Sequence, residues 1–332
     1  MKAKQLLLLI LIFLVAVGIF AAKNVFIKQE VEIEEYSSLE IDFDDSLVNE
    51  IKIKGPNQDT ETVNLEKRND KWVIASLWNL KASNDKVEKL LSELSSLTGE
   101  LRSTSKKVLS DYAITEDSAY SITLNVNDQS VKFFIGAKKP SYNSSFLRRD
   151  GSDSVYLVDI GIFSLAGIGG GIEGGVAPDQ DFWVDLELLE IDIDRVESIH
   201  IVKSIEGRDV DTILVKKEFD EEKSLMHWVN VGDSNALDKS KIKNYLAQLN
   251  NIRAKNAVEP GTGYGFDGPF LKILLKDDVG EKQIVIGDEV SAESKDRYIE
   301  TPEGNAYIIS ESRLKTLDID IDKFAVETKE EE

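Results

Sequence analysis

The chain contains no cysteine, only two histidines and only six prolines. Without cysteine there is no disulfide, no thiolate metal ligand, no thiol nucleophile and no acylated cysteine of the lipoprotein kind. His200 and His227 are too few for a histidine-rich metal centre, and a strand residue is the expected role of each. Basic charge is scarce beside acidic charge: 40 Lys+Arg stand against 61 Asp+Glu, for a formal net charge of −21. A surface of this sign repels phosphate backbones and anionic lipid, so nucleic acid is not an expected partner. It suits a solvated body that resists aggregation.

Long apolar runs are confined to one place. Residues 6–22 form an uncharged stretch, preceded by Lys2 and Lys4 and closed by Lys23. At about 1.5 Å per residue such a segment spans roughly 25 Å, near the thickness of a thin bilayer core and beyond the about 7–15 apolar residues of a signal peptide. A retained anchor is therefore expected, with residues 1–5 cytoplasmic and residues 23–332 outside. The alternative is a cleaved signal. Ala16-Val17-Gly18 has cleavage-like spacing, but Ile19 and Phe20 continue the apolar run.

The remaining chain reads as two copies of one unit, a periodicity that has to be found before motifs are assigned. Leu39-Glu-Ile-Asp-Phe-Asp44 returns as Leu189-Glu-Ile-Asp-Ile-Asp194, and Trp72-Val73 as Trp228-Val229. Val87, Leu90, Leu91, Leu94 and Leu97 match Ile242, Tyr245, Leu246, Leu249 and Ile252 in spacing, which is one apolar face of a helix in each copy. Ser83, Asn84 or Asp85 and Asp238 or Ser240 are the candidate helix caps. Tyr112-Ala113-Ile114 then answers to Tyr264-Gly265-Phe266, Phe134-Ile135-Gly136 to Val285-Ile286-Gly287, and Val155-Tyr156-Leu157-Val158 to Ala306-Tyr307-Ile308-Ile309. Short β-favouring runs predict hairpins over 122–126, 131–135, 146–149 and 155–158, and over 271–275, 283–286, 297–300 and 306–309. The expected fold is α+β: two tandem antiparallel sheet units, each with one main amphipathic helix, after the transmembrane segment. The expected boundaries are 1–22 cytoplasmic tip and anchor, 39–165 first repeat, 166–188 glycine-rich linker, 189–324 second repeat and 325–332 acidic tail.

Catalytic chemistry finds little support. The glycines of 166–176 precede no Gly-Lys-Ser/Thr and are followed by Pro178, Asp179 and Asp181, so a linker or partner-contacting loop is expected rather than a phosphate cradle. Four Ser-x-x-Lys pairs, at Ser83, Ser103, Ser240 and Ser312, lack the partner motifs of acyl transfer. Asp192 and Asp194, and Asp318, Asp320 and Asp322, alternate; in strands their carboxylates would share a face open to Ca²⁺, yet no twelve-residue calcium loop accompanies them. No catalytic residue, metal or cofactor is assigned. Trp72, Trp228, Tyr112, Tyr264, Tyr156 and Tyr307 recur between copies, as fold-keeping residues do. Trp78 and Trp183 have no counterpart at the matched positions, and exposure would make them partner contacts.

Membrane segment, Trp72-Val73, the amphipathic helix, Tyr112-Ala113-Ile114, Ile135-Gly136 and Val155-Tyr156-Leu157-Val158, echoed in the second copy, together resemble the bacterial domain-of-unknown-function 4340 family. The resemblance extends over nearly all of the chain beyond residue 38 and rests on the order of the pattern. It implies an extracytoplasmic protein associated with ABC-type transport systems of the gliding-motility kind, with no activity and no catalytic residue to carry over. The expected function is that of a membrane-anchored, non-enzymatic accessory protein contacting envelope proteins, possible partners including ABC-type transporter subunits. The alternative is an envelope module that binds a cation, glycan or peptide between the two repeats. Ala113 departs from Gly265 of the second copy and leaves that turn's geometry open.

Overall fold

The alternating apolar runs form strands that pair into two antiparallel sheets of nine strands each among the described residues. The structure is a computed structural model describing residues 39, 41, 43–56, 61–127, 129–169, 176–205, 208–222 and 224–326. The expected membrane anchor, residues 170–175 of the glycine-rich stretch and residues 327–332 of the acidic tail lie outside the described residues. Among the described residues no helix is long and apolar enough to cross a membrane.

In the first unit β1 (Val48–Lys54), β2 (Thr62–Arg68), β3 (Lys71–Ile74) and β4 (Leu80–Lys81) form a meander. Helix α1 (Asn84–Ser95) follows, then β5 (Glu100–Ser103). A second meander runs through β6 (Tyr120–Val126), β7 (Gln129–Ile135), β8 (Ser145–Arg149) and β9 (Val155–Val158) to a short helix, α2 (Ile162–Leu165). The order β4-β3-β2-β1-β6-β7-β8-β9-β5 joins the meanders at β1 and β6 and sets β4 and β5 at opposite edges. The chain between those edges is α1, so α1 has to traverse a sheet face. It does so on Val87, Leu90, Leu91 and Leu94, all buried. Each such side chain contributes about 1.5–3 kcal/mol relative to exposure, which outweighs any helix propensity in this segment.

The second unit repeats this strand order. Its first meander is β10 (Ser198–Ile205), β11 (Arg208–Asp220), β12 (Leu225–Asn230) and β13 (Ala236–Leu237), followed by α3 (Lys239–Asn250) and β14 (Asn256–Ala257). Then come β15 (Leu271–Lys276), β16 (Glu281–Ser291), β17 (Ser294–Glu300), β18 (Ala306–Ile309) and α4 (Glu311–Leu317). The order β13-β12-β11-β10-β15-β16-β17-β18-β14 is that of the first sheet, strand for strand. Ile242, Tyr245, Leu246 and Leu249 bury the face of α3. The units are mostly β: where an α+β balance was expected, each sheet is served by a single twelve-residue helix and one shorter one.

A shared closing element was not visible in the sequence. A 3-10 turn, Asp181–Trp183, brings Val184 into a bridge with Ala82, and Ser83 N donates to Trp183 O. In the second unit the turn Ile321–Phe324 brings Ala325 against Leu237, and Asp238 N donates to Phe324 O. Trp183 therefore has a counterpart after all, Phe324, and both rings are fully buried beside the start of the main helix. This corrects the reading of Trp183 as a partner contact: at 0% exposure it reaches no partner. The closing element falls within residues 166–188, the expected linker between the units.

Past Val184 the chain straps the units together. Asp185 N donates to Lys81 O, Ala254 N to Leu186 O, and Leu188 N to Ile252 O. Core side chains of both units accordingly form one continuous cluster, with Trp183, Val184, Leu188 and Leu189 among them. A second, smaller cluster of Leu109, Ile114, Ala119, Phe134 and Val155 lies apart from it. The alternating aspartates are not in strands. Residues 192–194 run into a turn, and residues 318–322 join α4 to a 3-10 turn, so the shared carboxylate face required for calcium is absent there.

Candidate functional site

Because the strap fastens the edge of the first sheet to the second unit, a cleft of about 620 Å³ opens between them. One wall comes from β3 and the loop leading to β4, the floor from the strap at Leu188 and Leu189, and the other wall from the turn between β17 and β18. The first wall carries Trp78. Leu77 N and Asn79 N both donate to Ile74 O, closing the loop so tightly that Trp78 and Asn79 take φ of +51° and +59°. Two successive non-glycine residues in the left-handed region cost roughly 1–2 kcal/mol each, and such backbone outliers gather at binding sites. Arg68 Nη1 donates to Asn79 Oδ1 at 2.8 Å and holds the loop, leaving the Trp78 indole 39% exposed.

Polar groups line the opposite side. Thr301 is 94% buried, being 6% exposed, and its Oγ1 has no hydrogen-bond partner among the described residues. A buried hydroxyl without a partner costs about 1–3 kcal/mol, and this oxygen is closed to solvent as well. Glu303, Asn305 and Tyr307 follow on the same wall. Burial, followed by the charges of Asp185 and Glu303, pushes the Tyr307 phenol well above its ordinary value, so it stays a neutral donor. Lys81 meets Asp185 at 2.8 Å. Its burial works to lower its pKa, but the hydrogen bond and charge of Asp185, with Glu190 and Glu303 adding, hold it above the usual lysine value.

Of the residues singled out from the sequence, Trp78 reaches this cleft and Trp183 does not. Thr301, Glu303, Asn305 and Asp185 carried no motif; Trp78 was marked only by lacking a counterpart, and the Thr301-Pro-Glu-Gly turn only as a hairpin. The four Ser-x-x-Lys pairs have other partners. Lys86 Nζ donates to Phe182 O, Lys243 pairs with Asp194 and Lys315 with Glu311, while Ser103 Oγ accepts from Ser105 N. His200 lies in β10 and His227 in β12, as strand residues. Trp72, Trp228 and Tyr307 are buried. No group of three or more His, Asp or Glu that could hold a metal ion occurs among the described residues.

A family model described as domain of unknown function (DUF4340) matches residues 72–262, more than half of the chain. The span starts at Trp72, includes Trp78 and the strap, and ends before the Thr301 wall. No curated protein and no solved structure matches. With more than half of the chain matched, including the buried Trp72 and both main helices, the chain belongs to the DUF4340 family.

Proposed function

We propose that this protein is a non-enzymatic binding subunit of the bacterial envelope, tethered to the cytoplasmic membrane by residues 6–22 with both units on the outer side. It serves as an accessory component of an ABC-type export or gliding-related system, and its binding site is the cleft between the units. The observation that carries the reading is that cleft, lined by an exposed, backbone-strained Trp78 and by Glu303, Asn305 and Tyr307. The uncharged run at 6–22 and the basic flank before it support the tether. The family membership agrees with it but assigns no activity.

Affinity purification of the full-length protein from solubilised native membranes tests the reading. Mass spectrometry of the captured material is expected to find transporter subunits and an intact residue 6–22 segment. The Trp78→Ala form is expected to recover what binds in the cleft at least several-fold less well. A processed protein recovered alone would overturn the tethered, accessory part and leave a free envelope binding module. Equal recovery by wild type and Trp78→Ala would remove the cleft from the reading.

A further inference from the structure

We infer that the cleft binds an uncharged oligosaccharide, an inference that rests on the reading of the cleft as the binding site. The argument is one of matching surfaces. Trp78 presents an exposed indole on one wall, and a pyranose ring presents a flat C–H face with small positive partial charges suited to the negative face of that π-system. The far wall offers a carboxylate at Glu303, an amide at Asn305 and a phenol at Tyr307. Sugar hydroxyls both donate and accept, so they can satisfy Glu303 and Asn305 together, which an acceptor-only anion cannot do. A cleft of about 620 Å³ falls within the roughly 300–1,000 Å³ of small-ligand sites.

The charges argue against anionic ligands. The three lining lysines, Lys71, Lys81 and Lys282, are matched by three lining carboxylates, Glu187, Glu190 and Glu303, and Lys81 is held by Asp185 besides, so the cleft has no excess of positive charge to receive a phosphate or carboxylate. The protein's net charge of −21 opposes anions further. The backbone argues against a peptide added as a strand. At this wall the bridge from Ala82 to Val184 and the bond from Asp185 N to Lys81 O already occupy the edge beside β4. Strand addition needs a free edge, and here the strap has closed it.

The tryptophans supply a local probe. Trp72, Trp183 and Trp228 are buried, at 5%, 0% and 3% exposure, so acrylamide quenching of tryptophan fluorescence reads chiefly Trp78. Full-length protein in a sugar-free detergent such as lauryldimethylamine oxide is titrated with maltotetraose, cellotetraose and chitotetraose, and separately with tetra-alanine and inorganic phosphate. At least one neutral sugar is expected to shield Trp78 from acrylamide in a saturable way. Asn305→Ala is expected to weaken that sugar about fivefold to tenfold, the cost of one neutral hydrogen bond, while its melting temperature shows that it folds. Shielding by tetra-alanine or phosphate and by no sugar would overturn the sugar assignment and keep the cleft as a binding site. Shielding by none of the five probes would overturn both. A sugar that shields wild type and Asn305→Ala equally would overturn the assigned wall.

Discussion

A Cβ built on Gly136 would lie 2.5 Å from Tyr112 O, and one built on Gly287 would lie closer still to Tyr264 O. These two glycines, matched between the units, are therefore set by a backbone approach that no side chain tolerates. Gly136→Ala and Gly287→Ala are each expected to destabilise by about 1–3 kcal/mol or more, Gly287→Ala the more severely, as read from urea midpoints. The neighbouring departure between copies has an equally local cause. Ala113 and Gly265 both lie in the left-handed region, at φ of +49° and +78°, but the turns close differently, since Ala137 N donates to Ala113 O while Asp288 N donates to Tyr264 O. At Gly265 a Cβ would strike Asp288 Cγ at 2.5 Å, whereas the first unit has Ala137 at the matching place beside Ala113. Ala113→Gly relieves the left-handed strain and should be neutral or stabilise by up to about 1 kcal/mol in the same measurement. The recurrence of Ile-Gly could be read from the sequence, but its reason could not, because the opposing carbonyl belongs to a residue more than twenty positions away.

The helices and their neighbours separate what local chemistry decides from what packing decides. Both main helices begin where candidate caps were read, but the caps differ in effect. Asp238 accepts from Ser240 N and Lys241 N, while Ser83 makes no side-chain cap bond. Asp238→Ala is expected to cost about 1 kcal/mol and Ser83→Ala little, a contrast that paired thermal melts would show. Beside α4, Asp296 accepts from Lys255 Nζ at 2.7 Å and from Glu311 N at 3.1 Å, so it ties β17 to the start of that helix. The Lys255 bond first, and then the Glu311 N–H, hold its carboxyl below the ordinary 3.8. A depressed folded pKa contributes stability above the ordinary value and loses it as pH falls through the folded one. The gap in melting temperature between wild type and Asp296→Asn should therefore be constant near neutrality and narrow on acidification through 3.8 and below. A gap that stays unchanged in acid would show that Asp296 acts through shape and not through charge.

At the scale of the whole molecule the two units share one hydrophobic cluster, and the strap that joins them passes through it at Trp183, Val184, Leu188 and Leu189. Calorimetry is expected to give one cooperative transition, and Trp183→Ala to lower stability by about 3–5 kcal/mol by opening a cavity in the first unit's core beside the strap. Two separated transitions would mean that the strap transmits nothing between the units. The duplication, the strands of each second meander, the buried helix faces and the apolar segment at 6–22 were legible in the chain, because alternation, 3.6-residue spacing and run length are properties of neighbouring residues. The alternating aspartates show where such local reading misleads: the same spacing in a turn and a helix end makes no carboxylate face. Trp183 and Trp78 were indistinguishable in the sequence, yet one is at 0% exposure and the other at 39%. Burial depends on which distant segments arrive at a residue, and only folding brings the closing turn to the start of α1 or sets Trp78 and Asn305 on one cleft. Pattern along the chain thus dictates the elements and their repetition, while the cleft, its partnerless hydroxyl and its closed edge come from contacts between residues far apart in sequence.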